Sequence, residues 1–258
     1  MLHVEAVISR IKEKQEFRNL DNSVVENIIS IQLKRKKYNL EKKKDLKELV
    51  KNVRAVLRKK ISAFEDFNES SFLLLKNKKY TELLKLHKST SERLSIYKEI
   101  YSKIFNITGK PKIILDLACG LNPLSAVYLG FSGFEYYAYD ISSEAVDLVN
   151  RFFKNEGING QAFVADVLSA GEFPKSDICF IFKALDILEP AKGHKFAEKL
   201  ITSVNAKYII ASFPKKTLSG RKMNFPRRAW LEKMCSRLNF KFEVLDFENE
   251  IFYIIKKV

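Results

Sequence analysis

Three acidic residues, Asp116, Asp140 and Asp166, mark the ends of successive short apolar runs. Runs of this kind are typical of buried parallel strands, and ligands bind beyond the carboxyl ends of such strands. A carboxylate at Asp140, twenty residues after Gly120, could accept hydrogen bonds from both ribose hydroxyls of an adenosyl group. Asp166 could accept from an adenine amino group. The order of these residues predicts an adenosyl ligand along one edge of a sheet.

The segment Asp116–Pro123 narrows the choice of ligand. It contains one glycine, Gly120, where dinucleotide-binding turns have three, so a pyrophosphate cradle is poorly supported. S-adenosylmethionine carries no phosphate, and one glycine lets the backbone approach it closely. The alternative is that Asp140 and Asp166 only cap the helices that follow them.

Lys183 follows the apolar run Ile178–Phe182, and a lysine so close to a buried strand end is expected to face a functional cleft. The alternative is a surface lysine whose stem covers apolar neighbours while its ammonium reaches water. Asp186 and Glu189 are interpreted as acids of a helix N-terminus rather than as catalytic bases. Lys183 is therefore the candidate for the reacting end of the site.

Residues 109–258 alternate short apolar runs with helical patterns. This alternation predicts an α/β fold with a Rossmann-like doubly wound sheet, closed by a C-terminal antiparallel hairpin. The predicted strands are Ile113–Leu117, Tyr136–Tyr139, Ala162–Ala165, Ile178–Phe182, Tyr208–Ala211, Phe240–Leu245 and Ile251–Ile255, and the predicted helices are Pro123–Leu129, Ser143–Asn155, Ala191–Val204 and Ala229–Leu238.

Residues 1–108 contain neither proline nor glycine, which predicts an all-helical N-terminal domain. Apolar residues repeat there at helical spacing, and Ser23 with Glu26 predicts a capping box. A last helix is expected to start at Ser89 and to run through Ile104. The boundary between the helical domain and the α/β domain is therefore predicted between residues 108 and 109.

The chain is strongly basic. Its formal net charge is +15, and residues 1–108 account for +11 of it, from 25 Lys+Arg and 14 Asp+Glu. Such an excess indicates a polyanionic partner, above all nucleic acid and less often an anionic membrane surface. The N-terminal helices are therefore predicted to bind RNA, although a lysine run is also common on a solvated helix face.

The sequence also excludes several classes of protein. No apolar run reaches the roughly 20 residues of a membrane span, and the N-terminus lacks the apolar core of a signal peptide. Cys119, Cys179 and Cys235 are odd in number and widely spaced, which argues against a disulfide framework and a zinc site. They are interpreted as small buried residues. A cytoplasmic protein with no membrane partner and no metal is expected.

Four segments carry a resemblance to a known family: Val50–Arg54 with Leu57, Ala63 and Phe64; His87–Leu94; Leu115–Leu124; and Ser212–Arg221. They resemble the aminoglycoside-resistance-type 16S rRNA methyltransferases that modify N7 of a guanine in the decoding site. The segments keep the order of that family and span most of the chain. Ser219 stands where the family has a glycine, and Ala184-Leu185-Asp186 stands where it commonly has Thr-Leu-Pro.

The resemblance implies a class I methyltransferase fold, S-adenosylmethionine as the cofactor and small-subunit rRNA as the partner. Arg93 would bind the methionine carboxylate through its planar guanidinium, and Gly120 would lie against the methionine moiety. Val167 would join the adenine site, and Lys183 would lie where the cofactor meets the target base. The implied cofactor-binding set is Arg93, Gly120, Asp140, Asp166, Val167 and Lys183, with Lys183 also the catalytic candidate. Ser89 and Glu92 are interpreted as a capping box for the helix of Arg93.

Guanine N7 has an available lone pair, so its methylation needs no general base, and catalysis would rest on alignment. Extruding a base from helical RNA costs a few kcal/mol, and basic residues after the fifth strand are expected to hold the distorted phosphates. Phe213 or Phe225 could stack on the extruded base, with ordinary packing as the alternative. The predicted RNA-binding residues are Lys42, Lys43, Lys44, Lys59, Lys60, Lys215, Lys216, Arg221, Arg227 and Arg228.

Other functions fit the same residues less well. A methyltransferase for a small molecule or a protein would use the same cofactor residues but would leave the basic helices without a role in catalysis. A ribosome-binding protein with a disabled pocket would not be expected to retain the whole set of Arg93, Gly120, Asp140, Asp166 and Lys183. A nucleotide-dependent dehydrogenase is disfavoured by the single glycine in the turn.

Overall fold

A mixed β-sheet forms the centre of the molecule. The structure, a computed structural model, describes residues 2–18, 20–60, 69–167, 171–188, 194–216 and 220–257. The strands in these residues are β1 Ile113–Leu117, β2 Glu135–Asp140, β3 Asn159–Val164, β4 Ser176–Phe182, β5 Ala206–Pro214, β6 Lys241–Asp246 and β7 Glu250–Lys256. Their order across the sheet is β3-β2-β1-β4-β5-β7-β6. β1 to β5 are parallel, and β7 lies antiparallel between β5 and β6.

This topology confirms the predicted doubly wound sheet with an antiparallel hairpin. Because β1 pairs with both β2 and β4, the winding direction reverses between β1 and β4, and such a switch point is where open α/β sheets bind ligands. The predicted β1 matches the observed strand, whereas β5 extends three residues further, to Pro214, because β7 pairs with it as far as Glu250.

Helices cover both faces of the sheet and fill the N-terminal part of the chain. A 3-10 helix, Asn122–Tyr128, takes the place of the predicted helix after β1. The α-helices are α1 Leu2–Lys12, α2 Asn22–Arg35, α3 Lys43–Lys60, α4 Glu69–Lys76, α5 Tyr80–Leu86, α6 Lys88–Arg93, α7 Tyr97–Thr108, α8 Ser143–Glu156, α9 Leu185–Leu188, α10 Lys195–Ser203 and α11 Ala229–Arg237.

Two predictions about these helices were wrong. The N-cap of α2 is Asp21, whose carboxylate accepts from Ser23 N–H at 2.8 Å, so Ser23 does not begin a capping box. The helix predicted from Ser89 is broken into α6 and α7, since Ile96 leaves the helical conformation and its N–H turns back to Arg93 O at 2.9 Å.

The helices divide into two groups by the core in which they are buried. α1 to α3, the helical unit, enclose a hydrophobic cluster of their own that includes Val7, Val25 and Leu57. α4, α5 and α7 instead pack against the sheet, where Tyr97 and Tyr101 share a cluster with strand residues. The change from helices to strands falls at residues 108 and 109, but the change of core falls earlier, between α3 and α4.

Three features bear on disulfides, membrane spans and metal sites, which the sequence argues against. The three cysteines are buried free thiols, as predicted. None of the helices in the described residues has the length and hydropathy that crossing a bilayer requires. The same residues hold no group of three side chains suited to a metal ion.

Candidate active site

The turn after β1 brings the backbone close to the switch point. Ala118 and Gly120 have positive φ angles of 53° and 49°, and a Cβ at position 120 would meet His87 Nε2 at 3.4 Å. Glycine adopts such a conformation without a steric cost. Gly120 N–H donates to Asp140 Oδ2 at 2.8 Å. This bond ties the end of β1 to the end of β2.

Asp140 is buried at the end of β2, with 3% of its surface exposed. Its Oδ1 accepts from Ser142 N–H at 2.9 Å. Burial raises the pKa of Asp140, and backbone hydrogen bonds from Ser142 and Gly120 oppose that rise. A carboxylate has about four lone-pair sites, and backbone hydrogen bonds from Gly120, Ile141 and Ser142 leave part of that capacity for ribose hydroxyls. It is not the cap of α8, whose N-cap is Ser142 with Oγ accepting from Ala145 N–H at 3.2 Å.

Asp166 and Val167 lie beside Asp140 at the same edge of the sheet. β3 pairs with β2 so that Val164 is in register with Asp140, and Ala165 N–H donates to Asp140 O at 2.8 Å. Asp166 and Val167 are both buried. The structure therefore brings together the two acids predicted for ribose and adenine.

The guanidinium of Arg93 is enclosed next to this edge. Nε donates to both carboxylate oxygens of Glu250 at 3.1 Å, and the group lies 4.9 Å from the centroid of the Phe182 ring. The other nitrogens donate to Tyr97 Oη at 3.3 Å, Asn122 Oδ1 at 3.0 Å and Ser89 Oγ at 2.5 Å. Burial alone lowers the pKa of Arg93, but Glu250 and Tyr97 raise it above its ordinary value. Arg93 is thus held as a cation.

The interpretation of Ser89 and Glu92 as a capping box is wrong. The N-cap of α6 is His87, which makes no side-chain cap bond. Ser89 instead accepts from Arg93, and Glu92 pairs with Lys183. The i, i+3 and i+4 spacing that resembles a cap motif also places side chains on one face of a helix, and here that face is turned to the site.

Lys183 lies at the end of β4 and is turned into the site. Its Nζ is 2.5 Å from Glu92 Oε2 and 3.1 Å from Glu250 Oε2, and its side chain is 11% exposed. Its backbone has a φ of 54°, and its N–H donates to Ser212 O at 3.1 Å and Ser212 Oγ at 3.0 Å. The alternative of a surface lysine is wrong.

Glu250 joins the two predicted cations and was missed by sequence reasoning. Its side chain is 1% exposed, and it accepts from Arg93, from Lys183 and from Ser212 Oγ at 2.5 Å. Glu250 is in register with Pro214, so it stands at the carboxyl end of β5. The sequence signal that could have identified Glu250 is an acidic residue immediately before an apolar run, in a hairpin that pairs antiparallel with β5.

A second buried network lies beneath the turn. Asp116 Oδ2 accepts from Tyr136 Oη at 2.8 Å and from Asn122 Nδ2 at 2.9 Å, and Asn122 connects it to Arg93. Asp116 Oδ1 is buried with no hydrogen-bond partner among the described residues. Burial raises the pKa of Asp116 to about 7. Burial, with Arg93 and Lys183, lowers the pKa of His87 to about 4, so that imidazole is neutral at pH 7.

The basic residues predicted to bind RNA after β5 are mostly paired. The ion pairs are Lys215–Asp246 at 2.5 Å, Lys216–Glu248 at 3.9 Å, Arg227–Glu232 at 2.7 Å and Arg228–Asp186 at 2.9 Å. Arg221 is exposed. Phe213 cannot stack on a base, because it is fully buried against Trp230 and Tyr253. Phe225 is 88% exposed and keeps that possibility.

The helical unit carries the other predicted RNA contacts. Lys42, Lys43 and Lys44 are exposed at the start of α3. Lys59 and Lys60 belong to the last turn of α3, and their side chains lie outside the described residues. Sequence reasoning missed a cleft of about 460 Å³ between α1 and α3, which depends on the packing of two helices. Its basic lining residues are Arg10, Lys47, Lys51, Arg54 and Arg58.

The site fits S-adenosylmethionine in its donors and acceptors. Asp140 has acceptor capacity for a ribose, Asp116 Oδ1 is a buried acceptor with no partner among the described residues, and Gly120 turns the backbone after β1 with a positive φ. An open α/β sheet with this order, an antiparallel β7 and acids at the carboxyl ends of β1, β2 and β3 defines the class I methyltransferase fold. Comparison with known proteins narrows the class.

The family model "Ribosomal RNA methyltransferase (FmrO)" matches residues 32–254. The chain belongs to this family. It is 31% identical over 179 residues to the 16S rRNA (guanine(1405)-N(7))-methyltransferase of Micromonospora rosea, a match covering 67% of this chain and 64% of that protein. It is 34% identical over 179 residues to the enzyme of the same name from Serratia marcescens, covering 67% and 68%. The match thus spans less than two thirds of the Micromonospora protein.

Solved structures extend the likeness over nearly the whole chain. The 16S rRNA methylase RmtB superposes with a TM-score of 0.81 at 26% identity, covering 99% of this chain and 98% of that one. The methyltransferase RmtF, solved in complex with S-adenosyl-L-homocysteine, superposes with a TM-score of 0.84 at 24% identity over 99% and 98%. The RmtF likeness shows the fold alone, which includes the helical unit.

Proposed function

We propose that this protein is an S-adenosylmethionine-dependent methyltransferase that methylates N7 of a guanine in the decoding region of small-subunit rRNA. The observation that carries the proposal is the Asp140 carboxylate, fixed 2.8 Å from Gly120 N at the switch point of the sheet. The names of the similar proteins from Micromonospora and Serratia support the substrate. A ribosomal substrate also favours a cytoplasmic location.

Asp140 would bind the ribose, Asp166 with Val167 the adenine, and Gly120 the methionine moiety. Arg93 would lie at the methionine carboxylate, which requires that carboxylate to share the guanidinium with Glu250 or to replace it. S-adenosylmethionine, when bound, supplies an electrophilic methyl group on a sulfonium. The pocket therefore needs residues that orient two reactants rather than a strong base.

The charged residues of the site are suited to orientation. Guanine N7 attacks with a lone pair that carries no proton, so no side chain has to remove one. Lys183 is fixed by Glu92 and Glu250 at the end of β4, where its ammonium would fix the target base. Holding reactants in line accounts for a large part of the rate enhancement in bimolecular transfers.

RNA binding is assigned to the helical unit and to the segment after β5. Lys42, Lys43 and Lys44 are exposed and would bind backbone phosphates, and the cleft between α1 and α3 concentrates further cations. Each phosphate neutralised by a cation releases counterions, so binding should weaken steeply with salt. The exposed ring of Phe225 is available to stack on an extruded base.

The proposal is tested by incubating the purified protein with small ribosomal subunits and isotopically labelled S-adenosylmethionine, then mapping the label by mass spectrometry of the rRNA. We expect the labelled methyl group to be found at one guanine of the decoding site, on its N7 atom. Label in protein or in metabolites instead of rRNA would contradict the substrate. Binding of subunits without any transfer, together with no binding of the cofactor, would contradict the enzymatic function.

A further inference from the structure

The segment between β5 and α11 is fixed to the edge of the sheet where it leaves the strand. Lys216 and Lys222 form an antiparallel bridge. Met223 N–H donates to Lys215 O at 2.8 Å, and Lys215 N–H donates to Asn249 O at 2.9 Å, in the turn before β7. Backbone contacts of this kind hold the first part of the segment against the carboxyl end of β5.

The last part of the segment is held by the side chain of Arg228. Nε and Nη2 donate to Asp186 Oδ2 at 3.2 Å and 2.9 Å, and Nη1 donates to Pro226 O at 2.7 Å. The guanidinium lies 4.9 Å from the centroid of the Phe213 ring, and the side chain is 11% exposed. Because all three guanidinium nitrogens donate within the protein, Arg228 is occupied by its own segment and by α9.

Phe225 lies between these two anchors, directly before Pro226. Its ring is 88% exposed, which makes it the most exposed large apolar side chain among the described residues. Asp186 follows Lys183 by three positions at the end of β4. The contact between Arg228 and Asp186 therefore attaches the segment that carries Phe225 to the part of the site where the target base is proposed to react.

We propose that Arg228 is a positioning residue for the RNA substrate: by its pairing with Asp186 it fixes the segment that presents Phe225 to the extruded base. This inference rests on the proposed function. An aromatic ring stacks on any base through its face, but a ring on an unrestrained segment first has to be ordered, and that ordering costs free energy. The pairing of Arg228 with Asp186 removes part of this cost before the RNA arrives.

A direct contact between Arg228 and a phosphate would give different measurements. Arg228→Ala would then weaken the binding of subunits and reduce its salt dependence, whereas Asp186→Ala, which removes an acid, would leave binding unchanged or tighten it. In the positioning role, both substitutions slow methyl transfer and leave the affinity for subunits nearly unchanged, because the ring acts only after the base has left the RNA helix. The effect of Asp186→Ala therefore has opposite directions in the two roles.

The test measures single-turnover methyl transfer to small ribosomal subunits, filter binding of subunits at several salt concentrations, and calorimetric binding of S-adenosylhomocysteine, all with the full chain. The variants are Arg228→Ala, Asp186→Ala, Phe225→Ala and the double variant of Arg228→Ala with Phe225→Ala. The matched control is Arg237→Ala, which removes an exposed arginine of α11 that pairs with Glu198. Thermal melts confirm that each variant is folded.

We expect each single variant to transfer the methyl group about tenfold more slowly than the wild type, with wild-type affinity for S-adenosylhomocysteine. The double variant should be no slower than Phe225→Ala, because Arg228 acts through that ring and the two losses are then not additive. Arg237→Ala should behave as the wild type does.

Three results would overturn the positioning role. They are additive losses in the double variant, weaker subunit binding in Arg228→Ala with normal transfer in Asp186→Ala, and unchanged transfer rates in both variants. If the wild type itself transfers no methyl group to rRNA, the proposed function is overturned instead, so the two failures are distinct.

Discussion

The edge of the sheet and the outer face of the helical unit both concentrate charge, but they hold it in different ways. At the sheet edge, Arg93 and Glu250 have side chains 2% and 1% exposed and are joined at 3.1 Å, with Lys183 paired to the same carboxylate. On the helical unit, the Lys42, Lys43 and Lys44 side chains are exposed to water. The same residue types therefore experience different dielectric surroundings.

The difference indicates which charges act as a group and which act singly. Buried charges interact strongly, and the loss of one partner leaves the other uncompensated. Exposed charges are screened by salt within about 10 Å at 0.1 M ionic strength, so their contributions are small and nearly additive. A single substitution at the sheet edge should therefore disrupt the whole group of charges. Each substitution on the helical face should reduce binding by only a fraction.

The largest effect is expected for Glu250→Gln, which removes the charge shared by Arg93 and Lys183 while keeping the shape of the side chain. Breaking a buried ion pair should lower the free energy of unfolding by about 3–5 kcal/mol, measured by urea denaturation followed by circular dichroism. The control is Glu99→Gln, because Glu99 forms an exposed i,i+4 pair with Lys103 and should cost less than about 1 kcal/mol. Similar decreases in the free energy of unfolding of the two variants would contradict the difference between buried and exposed ion pairs.

Asp140→Ala should weaken S-adenosylmethionine binding by about 100-fold, because two hydroxyl donors lose a charged acceptor. Isothermal titration calorimetry measures this change. The control Asp147→Ala removes an acid from the exposed face of α8, where it pairs with Arg151, and should bind as the wild type does. If Asp140→Ala binds S-adenosylmethionine as tightly as the wild type does, Asp140 does not bind the ribose.

Reversing the charge at Lys42, Lys43 and Lys44 together should weaken binding of small ribosomal subunits by about tenfold and flatten its salt dependence. Filter binding at several salt concentrations gives both quantities. Lys154→Glu, on the exposed side of α8, controls for net charge. If each single charge reversal gives a fraction of the loss of binding seen in the triple variant, the exposed charges act singly. If one residue accounts for the whole loss, the comparison with the buried charges is contradicted.

The smallest effect concerns pH. Burial raises the pKa of Asp116 to about 7 from an ordinary 3.8, so the native state binds its proton more tightly than the unfolded chain, and stability falls as pH rises towards 7. The free energy of unfolding should decrease by about 1 kcal/mol between pH 6.5 and 8. Asp116→Asn should lack this decrease.

His87 makes the free energy of unfolding depend on pH in the opposite direction. Its pKa is lowered to about 4, so the unfolded chain binds more protons, and its contribution to stability is lost as pH falls from 6.5 towards 4. Between pH 4 and 6.5 the two groups change the free energy of unfolding in opposite directions, so urea titrations of the Asp116→Asn and His87→Gln variants are needed to separate them. A His87→Gln variant with the wild-type pH profile below pH 6.5 would contradict the buried neutral imidazole.

Local patterns predicted most of the sheet and the acids at its edge. β1 is apolar apart from Asp116. Asp140 and Asp166 stand at the ends of neighbouring parallel strands whose carboxyl ends must meet, so sequence order alone places them together. Glu250 depends on the register of an antiparallel pair that no local pattern specifies. The pairing of Ser89 with Arg93 was hidden by a motif that resembles a helix cap.

Contacts between helices were beyond sequence reasoning for the same reason. The cleft containing Arg54 requires α1 to pack on α3, and Arg54 donates to the backbone oxygen of Arg10 across it. Asn27 belongs to a helix that periodicity predicted, but its contact with Asp166 depends on where the helical unit is seated. Apolar periodicity gives the buried face of a helix, not the partner that covers it.

The place of β7 in the sheet affects how the protein is made. β7 is inserted between β5 and β6 and carries Glu250, yet it is synthesised after every other described strand and helix. Chains fold from the N-terminus while they are translated, so Arg93 and Lys183 emerge long before the carboxylate that neutralises them. Until β7 has emerged from the ribosome, Glu250 is absent and this charge network is incomplete, so the site forms late in the synthesis of the protein.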